Sequence, residues 1–182
     1  MTPVSSCSLR PLTEADLDLV RAWRNSDRVR SVMYTDHVIS PEEHRRWFAG
    51  LKGDSNRLYL IFEVNGRPAG LVDFALISDR KEAVWGFYLG DEDAPTGSGQ
   101  ALGEQGLEFA FRGLNVEKVI GETFAFNERG IRFHERLGFK SLGILKGFKI
   151  KNGRAEDVVK FELSRQDWVR RSDNKGSNER SK

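Results

Sequence analysis

The sequence has only one cysteine and contains no long hydrophobic run. A single cysteine, Cys7, excludes a disulfide framework within the chain. No apolar stretch approaches the roughly 20 residues that span a bilayer, and the N-terminus lacks the charged-then-apolar pattern of a secretory signal. These absences predict a cytoplasmic protein that has no membrane partner.

The chain also lacks a large excess of charge of one sign. The 29 basic and 27 acidic residues are well mixed and leave a net charge of +2, which argues against a protein built to neutralise nucleic-acid phosphates. At 182 residues, one domain is the default, and we place it at residues 1–170. Residues 171–182 contain no apolar side chain and are predicted to form a disordered polar tail.

Glycine, by contrast, is concentrated in the stretch Pro95–Gly103, between a strand-like aromatic run and a helical pattern. A glycine loop that leads into a helix presents unpaired N–H groups and the positive end of the helix dipole, a site for a pyrophosphate. The lysine of a P-loop is absent because Gln100 follows Gly99, and Leu102 replaces the third glycine of a dinucleotide fingerprint. From the glycines alone, a tight turn that packs a helix on a sheet remains the alternative.

Turn and cap signals give the order of elements. Asn65-Gly66 and Asn152-Gly153 each separate two strand patterns and predict hairpins. Ser40-Pro41 predicts one helix start, and Asn127 and Gly138 predict the cap and the stop of another. The resulting order, β-αα-βββ-α-β-α-ββ, indicates the α+β class with a mostly antiparallel sheet.

Residues 127–139 form a second motif. Asn127, Gly130 and His134 are spaced by three and four residues, so on a helix they share one face. An amide, a small residue that leaves room, and a titratable ring therefore lie along one line.

Together, the two motifs resemble the GNAT superfamily of acetyl-CoA-dependent N-acetyltransferases, and the likeness covers residues 8–164 in element order. The resemblance implies a mixed, mostly antiparallel sheet flanked by helices, whose fourth and fifth strands part to admit the pantetheine arm. It implies acetyl-CoA as cosubstrate and no metal. Coenzyme contacts are then expected at Leu89, Gly97, Ser98, Gly99, Gln100, Ala101, Leu102, Asn127 and Gly130.

Two side chains are candidates for the chemistry. The family often has Tyr as the acid near the sulfur where this chain has His134, and histidine can protonate a leaving thiolate because its pKa is ordinarily near neutrality. Glu122 lies in an apolar strand pattern, where a carboxylate is costly unless it faces a polar cleft. We predict Glu122 as the base or the anchor of the amine, with a solvent-facing strand glutamate and a helix-packing histidine as the structural alternatives. Cys7 lacks the context of a nucleophile, so direct attack in a ternary complex is expected.

The first 50 residues are expected to select the acceptor. They resemble the sugar-nucleotide branch of the superfamily, which N-acetylates UDP-4-amino-4,6-dideoxy-N-acetyl-β-L-altrosamine in pseudaminic acid synthesis. Arginine suits a diphosphate, and aromatic or sulfur surface suits uracil and a deoxy methyl group. The candidates are Arg24, Arg30, Met33, Tyr34, His44, Trp47 and Tyr88.

Two other functions stay open at this point. In the first, the fold is the same and the acceptor is a protein N-terminus or a polyamine. An acidic acceptor groove would favour a polyamine. A non-catalytic module that binds acetyl-CoA is the second, which the presence of both Glu122 and His134 disfavours. The sequence leaves the oligomeric state open, a homodimer included.

Overall fold

The computed structural model describes residues 6–179, with side chains to Asp173. Within this range seven strands form one sheet. The strands are β1 (Cys7–Pro11), β2 (Arg57–Val64), β3 (Arg67–Ile77), β4 (Glu82–Leu89), β5 (Lys118–Phe124), β6 (Lys140–Lys151) and β7 (Arg154–Ser164). Their order across the sheet is β1-β2-β3-β4-β5-β7-β6.

The helices of the described range lie between and after these strands. They are α1 (Leu17–Asn25), α2 (Asp27–Arg30), α3 (Pro41–Leu51), α4 (Ser98–Glu108), α5 (Glu128–Leu137) and α6 (Arg165–Glu179). One turn of 3-10 helix (Glu14–Asp16) precedes α1, and a π-helical turn (Phe109–Gly113) extends α4. None of the helices within residues 6–179 is long and apolar enough to cross a membrane.

The last helix extends into the C-terminal segment. Residues 171–179 continue α6, whereas residues 180–182 lie outside the described range. The start of this helix is fixed, since the Asp167 N–H donates to the Ser164 hydroxyl and Trp168 packs on Phe111. Once a first turn is held, each further residue adds a hydrogen bond, so a polar sequence can continue the helix.

The turns and the helix cap predicted from local sequence signals are present in the structure. Asn65 and Gly66 have φ of 52° and 74°, and Asn152 and Gly153 have 49° and 73°, the left-handed pair of a two-residue hairpin turn. Ser40 accepts from the Glu43 N–H at the start of α3. The predicted α+β class is confirmed, and the predicted order of elements is found with two helices added, the short α2 and the final α6.

The site depends on one irregularity of the sheet. Neighbouring strands are antiparallel except β4 and β5, which run parallel. Their pairing consists of three residue pairs and ends at Val84 and Ile120. Beyond that point the two strands part, as the family resemblance implied.

The two faces of β4 carry different layers. Trp85 and Phe87 pack on the side of α5, where Phe87 lies 4.5 Å from Phe133 between ring centroids. Tyr88 faces the other side, where its ring meets Trp23 of α1 edge-on at 6.5 Å. Helices α4 and α5 approach closely at Gly103. A Cβ at this residue would lie 2.6 Å from Leu137 Cδ1, so the contact requires glycine.

Candidate active site

A cavity of about 430 Å³ opens where β4 and β5 part. Because the strands are separated there, the cavity reaches both faces of the sheet. Its lining includes side chains of α4 and α5 on one face, and of α2, the loop after it and the middle of β3 on the other. The lining residues used below are Arg28, Met33, Tyr34, Arg57, Asp73, Gly86, Tyr88, Leu89, Gly99, Leu102, Glu122, Asn127, Arg129, Gly130 and His134.

The glycine loop forms the start of α4 at one end of this cavity. Gly97 caps the helix with φ +96°, in the left-handed region that favours glycine. The amide and hydroxyl of Ser98 both donate to Pro95 O, and the Ala101 amide donates to Gly97 O. Within the described chain, the N–H groups of Gly99 and Gln100 have no acceptor. Two free N–H groups at a helix N-terminus fit a phosphate of the coenzyme.

The predicted coenzyme residues therefore divide into two groups. Leu89, Gly99, Leu102, Asn127 and Gly130 line the cavity. The polar groups of Ser98 are instead committed to the loop itself, and the Ala101 amide belongs to the helix.

The side chain of Asn127 also forms its hydrogen bonds within the protein. It caps α5 by accepting from the Gly130 N–H at 3.0 Å, and it donates to the Thr123 hydroxyl at 2.9 Å. A Cβ at Gly130 would lie 2.6 Å from the Asn127 amide nitrogen, so this position needs a residue without a side chain. The observed role of Asn127 is to join the end of β5 to the start of α5.

His134 is held as a neutral ring. It is 2% exposed, its ring stacks on Phe161 at 4.7 Å, and its Nδ1 lies 2.8 Å from Gly130 O. Trp85 donates its indole N–H to the Nε2 atom at 3.3 Å, so the partners assign the proton to Nδ1. Burial lowers the pKa of His134 to about 4. Its one proton is committed to Gly130 O, so the geometry opposes the predicted role of thiolate acid and favours a packing role.

Glu122 faces the cavity, as its position in an apolar strand suggested. The hydroxyl of Tyr34 donates to Glu122 Oε2 at 2.9 Å. Burial and then this hydrogen bond raise the pKa of Tyr34. Phe124 supports Tyr34 edge-on, with ring centroids 5.2 Å apart.

Of the predicted acceptor residues, Met33, Tyr34 and Tyr88 line the cavity, whereas Arg24 and Arg30 do not. Arg30 pairs with Asp27 at 2.6 Å, one turn away on α2.

The predicted pair on α3 also lies elsewhere. His44 is 5% exposed and stacks on Trp47 at 4.8 Å, and Trp47 packs on Tyr59. Burial lowers the pKa of His44, and the charges of Arg21 and Arg24 lower it further. His44 does not line the cavity, so its contact with the acceptor remains a prediction from the sequence.

Sequence reasoning missed several residues of the lining. Arg28, Arg57 and Arg129 bring cations to the cavity, and Arg28 also donates to Gly90 O at 2.8 Å. Asp73 could have been found, since it is a lone carboxylate in an apolar strand, the same signal that indicated Glu122. Burial raises the pKa of Asp73 to about 6 against the opposing charges of Arg24 and Arg57. Over residues 6–179, no group of three or more His, Cys, Asp or Glu side chains could hold a metal ion.

Comparison with known proteins agrees with this geometry. The family described as "Acetyltransferase (GNAT) domain" matches residues 9–159. Acetyltransferase PseH of Campylobacter jejuni is 28% identical over 128 residues, which cover 70% of this chain and 79% of the relative. Spermidine N(1)-acetyltransferase of Vibrio cholerae is 22% identical over 171 residues, which cover 93% and 99%.

A solved structure shows the same fold. The crystal structure of spermidine N-acetyltransferase from Vibrio cholerae in complex with CoA and spermine superposes with a TM-score of 0.84. It covers 91% of this chain and 99% of its own, at 22% identity. At this identity the likeness carries the fold and not the acceptor.

Proposed function

Because the chain belongs to the GNAT acetyltransferase family and is an acetyl-CoA-dependent N-acetyltransferase, we propose that its acceptor is the 4-amino group of a UDP-linked 4-amino-4,6-dideoxy sugar. The observation that carries this proposal is the charge of the cavity. Two exposed arginines, Arg28 and Arg57, line it beside apolar side chains of α2 and the following loop, and a third, Arg129, lines it from α5. Guanidinium groups suit a diphosphate, and the apolar wall suits a deoxy sugar.

The coenzyme would occupy the gap between β4 and β5. The free amides of Gly99 and Gln100 would hold its pyrophosphate. A backbone N–H near Leu89, where β4 ends at the cavity, would stabilise negative charge that develops on the acetyl oxygen. Acetyl-CoA supplies the activated acetyl group.

The acceptor would enter from the opposite face. Met33 would offer sulfur and methylene surface to it, and Tyr34 would hold Glu122 in place beside the amine. Attack of the neutral amine on the thioester carbonyl is direct in this proposal, as the sequence led us to expect.

A polyamine is the second candidate acceptor, and one observation favours it. The cavity also contains two carboxylates, Asp73 and Glu122, which suit a cationic amine. The three arginines oppose a polycation, since like charges disfavour its approach.

Release of coenzyme A thiol with a panel of acceptors tests the proposal. The panel contains a UDP-4-amino-4,6-dideoxy sugar, spermidine and a basic peptide with a free N-terminus. We expect the sugar nucleotide to give the largest kcat/KM. A larger value for spermidine or the peptide contradicts the proposed acceptor, and tight coenzyme binding without thiol release for any amine would favour the non-catalytic module.

The arginine at position 57 gives a sharper version of this test. Arg57→Ala should raise the KM of the sugar nucleotide about tenfold, the effect of losing one charged contact of roughly 1.4 kcal/mol. It should leave the KM of acetyl-CoA unchanged. Arg46→Ala on α3, exposed and outside the cavity lining, is the matched control. An equal effect of the two variants would remove Arg57 from the acceptor site.

A further inference from the structure

The carboxylate of Asp73 lies in the cavity without a partner. Its strand neighbours Val72 and Phe74 are buried, yet among the described residues no side-chain hydrogen bond or ion pair reaches the Asp73 carboxylate. A half-buried carboxylate without a partner is costly to the folded protein. Such a cost is commonly found where a group is kept available for a ligand.

The carboxylate of Asp73 lies over one residue of β4, Gly86. Asp73 pairs with Gly86 across the β3–β4 ladder. A Cβ at Gly86 would lie 2.5 Å from Asp73 Oδ2, so the carboxylate extends over the backbone of β4 at that residue. Gly86 is two residues beyond Val84, the last residue of β4 to pair with β5. The carboxylate therefore lies at the edge of the gap.

A second polar atom without a partner lies on the same face. In the described part of the chain the hydroxyl of Tyr88 is buried and has no hydrogen-bond partner. Tyr88 pairs with Leu71, and Asp73 is two residues further along β3, so the two side chains are diagonal neighbours. The floor of the cavity on this face thus presents one acceptor and one hydroxyl to a polar ligand.

We propose that Asp73 binds the acceptor amine and accepts its proton during acetyl transfer. The inference rests on the proposed transfer to an amine at this site and holds for whichever amine that is. The acceptor nitrogen forms a bond to the acetyl carbonyl carbon, the carbon–sulfur bond breaks, and the proton leaves the nitrogen for Asp73. The sulfur departs as thiolate and takes a proton from water, and Asp73 returns its proton to water.

The charges around Asp73 are compatible with this task. Arg24 from α1, Arg57 and Tyr59 from β2, and Tyr88 from β4 act on it. Burial outweighs the two arginines and raises the pKa of Asp73 to about 6. The group is ionised at pH 7. Its pKa is higher than that of an ordinary aspartate and therefore closer to the pKa of an amine, which favours general-base catalysis.

Glu122 has a different position in this scheme. It already accepts a hydrogen bond from Tyr34, which holds its carboxylate in one orientation. Glu122 then orients the amine while Asp73 takes the proton. This assigns the two roles that the sequence left open for one residue.

The test is the pH dependence of kcat/KM for Asp73→Asn. Protonation of the acceptor amine lowers kcat/KM with decreasing pH in every variant. Below about pH 6 the decline of wild-type kcat/KM should become steeper because Asp73 is protonated as well, and Asp73→Asn should lose this steeper part together with a factor on the order of 10² to 10³ in kcat. Glu122→Gln should lower kcat/KM and keep the steeper part. Asp79→Asn, in the exposed β3–β4 turn at φ 53°, is the matched control and should behave as wild type.

Stability separates a functional role from a structural one. Because Asp73 has no partner to lose, Asp73→Asn should melt at the same temperature as wild type or higher at pH 7, and should bind coenzyme A with unchanged Kd. A lower melting temperature with wild-type kcat, or a steeper decline below about pH 6 that persists in Asp73→Asn, overturns the inference. Gly86→Ala, which keeps the aspartate and displaces its carboxylate, should also lower kcat; wild-type kcat in this variant would equally contradict the proposal.

The acceptors distinguish the two proposals. Thiol release is measured with the sugar nucleotide, with spermidine, with the peptide and with water alone. If spermidine is acetylated, the sugar nucleotide is not, and Asp73→Asn removes the activity, then the proposed acceptor is wrong and the role of Asp73 stands. If the sugar nucleotide is acetylated equally by Asp73→Asn and wild type, the acceptor stands and the role of Asp73 is wrong.

Discussion

The hydroxyl of Tyr34 donates a 2.9 Å hydrogen bond to the carboxylate of Glu122, a residue 88 positions away in the chain. Tyr34 lies in the loop after α2, and Glu122 lies on β5 beyond the last residue that pairs with β4. This bond joins the segment expected to select the acceptor to the edge of the gap expected to admit the coenzyme.

The first prediction concerns this bond. Tyr34→Phe should lower kcat/KM for the acceptor about tenfold, since a hydrogen bond to a charged group contributes roughly 1.5–3 kcal/mol, and it should leave coenzyme affinity unchanged. Steady-state kinetics with each substrate varied in turn will measure it. In a Glu122→Gln background the same change should have little further effect; an additive loss would show that the two residues act independently.

A buried lysine positions the loop that carries Tyr34. Lys151 is 5% exposed, and its ammonium donates to Arg30 O at 3.0 Å and Met33 O at 2.8 Å. Lys151→Met removes both bonds while keeping the volume, so we expect a stability loss of about 1–3 kcal/mol and a raised acceptor KM. Lys146→Met, on an exposed side chain of the same hairpin, is the control. Urea unfolding and acceptor kinetics will check it, and an unchanged KM would separate this contact from acceptor binding.

The neutral ring of His134 predicts a pH dependence of stability. Its pKa is about 4 in the folded protein against the ordinary 6.5, so the unfolded chain binds more protons between these values. Stability should therefore fall as pH decreases from about 6.5 to 4, by up to about 1.4 kcal/mol per pH unit from this group. In His134→Phe this contribution should be absent, while turnover at pH 7 should stay within a few-fold of wild type. Denaturant titrations across this pH range will measure it, with His37→Phe as an exposed control; a hundredfold loss of turnover would restore the acid role.

Gly97, which caps α4 in the glycine loop, predicts that a substitution there lowers the affinity for coenzyme A. Gly97 has φ +96°, and a Cβ there would meet no atom within 4 Å, so Gly97→Ala acts through backbone strain alone. Gly53 has φ +94° and the same open surroundings, which makes Gly53→Ala a matched control. Both should cost about 1 kcal/mol of stability. Calorimetric titration should show a several-fold higher Kd for coenzyme A in Gly97→Ala alone, and equal Kd values would remove the loop from coenzyme binding.

Much of the fold followed from the sequence, and the site followed in part. The hairpin turns at Asn65 and Asn152 and the cap at Ser40 are set by neighbours within four residues, so a single sequence contains their signal. The start of α6 could not be predicted in this way, because its first turn is fixed by a packing contact, between Trp168 and Phe111, that composition does not encode.

The candidate site shows the same division. A lone carboxylate in an apolar strand indicated Glu122, and the spacing of residues 127–134 placed His134 on the coenzyme-side helix. The same signal was present at Asp73 and was not used. The sequence did not single out Arg28, because arginines on neighbouring turns are equivalent in sequence and only their direction in space places Arg28, and not Arg30, in the cavity lining.

The sequence by itself determined most of the elements, the glycine cap at the start of α4 and the family, because these depend on backbone geometry and on partners close along the chain. Only the tertiary structure decided the states of the groups in the cavity. Trp85 and Gly130 O occupy both nitrogens of His134, Tyr34 holds Glu122, and the carboxylate of Asp73 lies over Gly86, just beyond the point where β4 and β5 part. Each of these follows from which strands are neighbours and where their pairing ends, and a protonation state depends on those contacts.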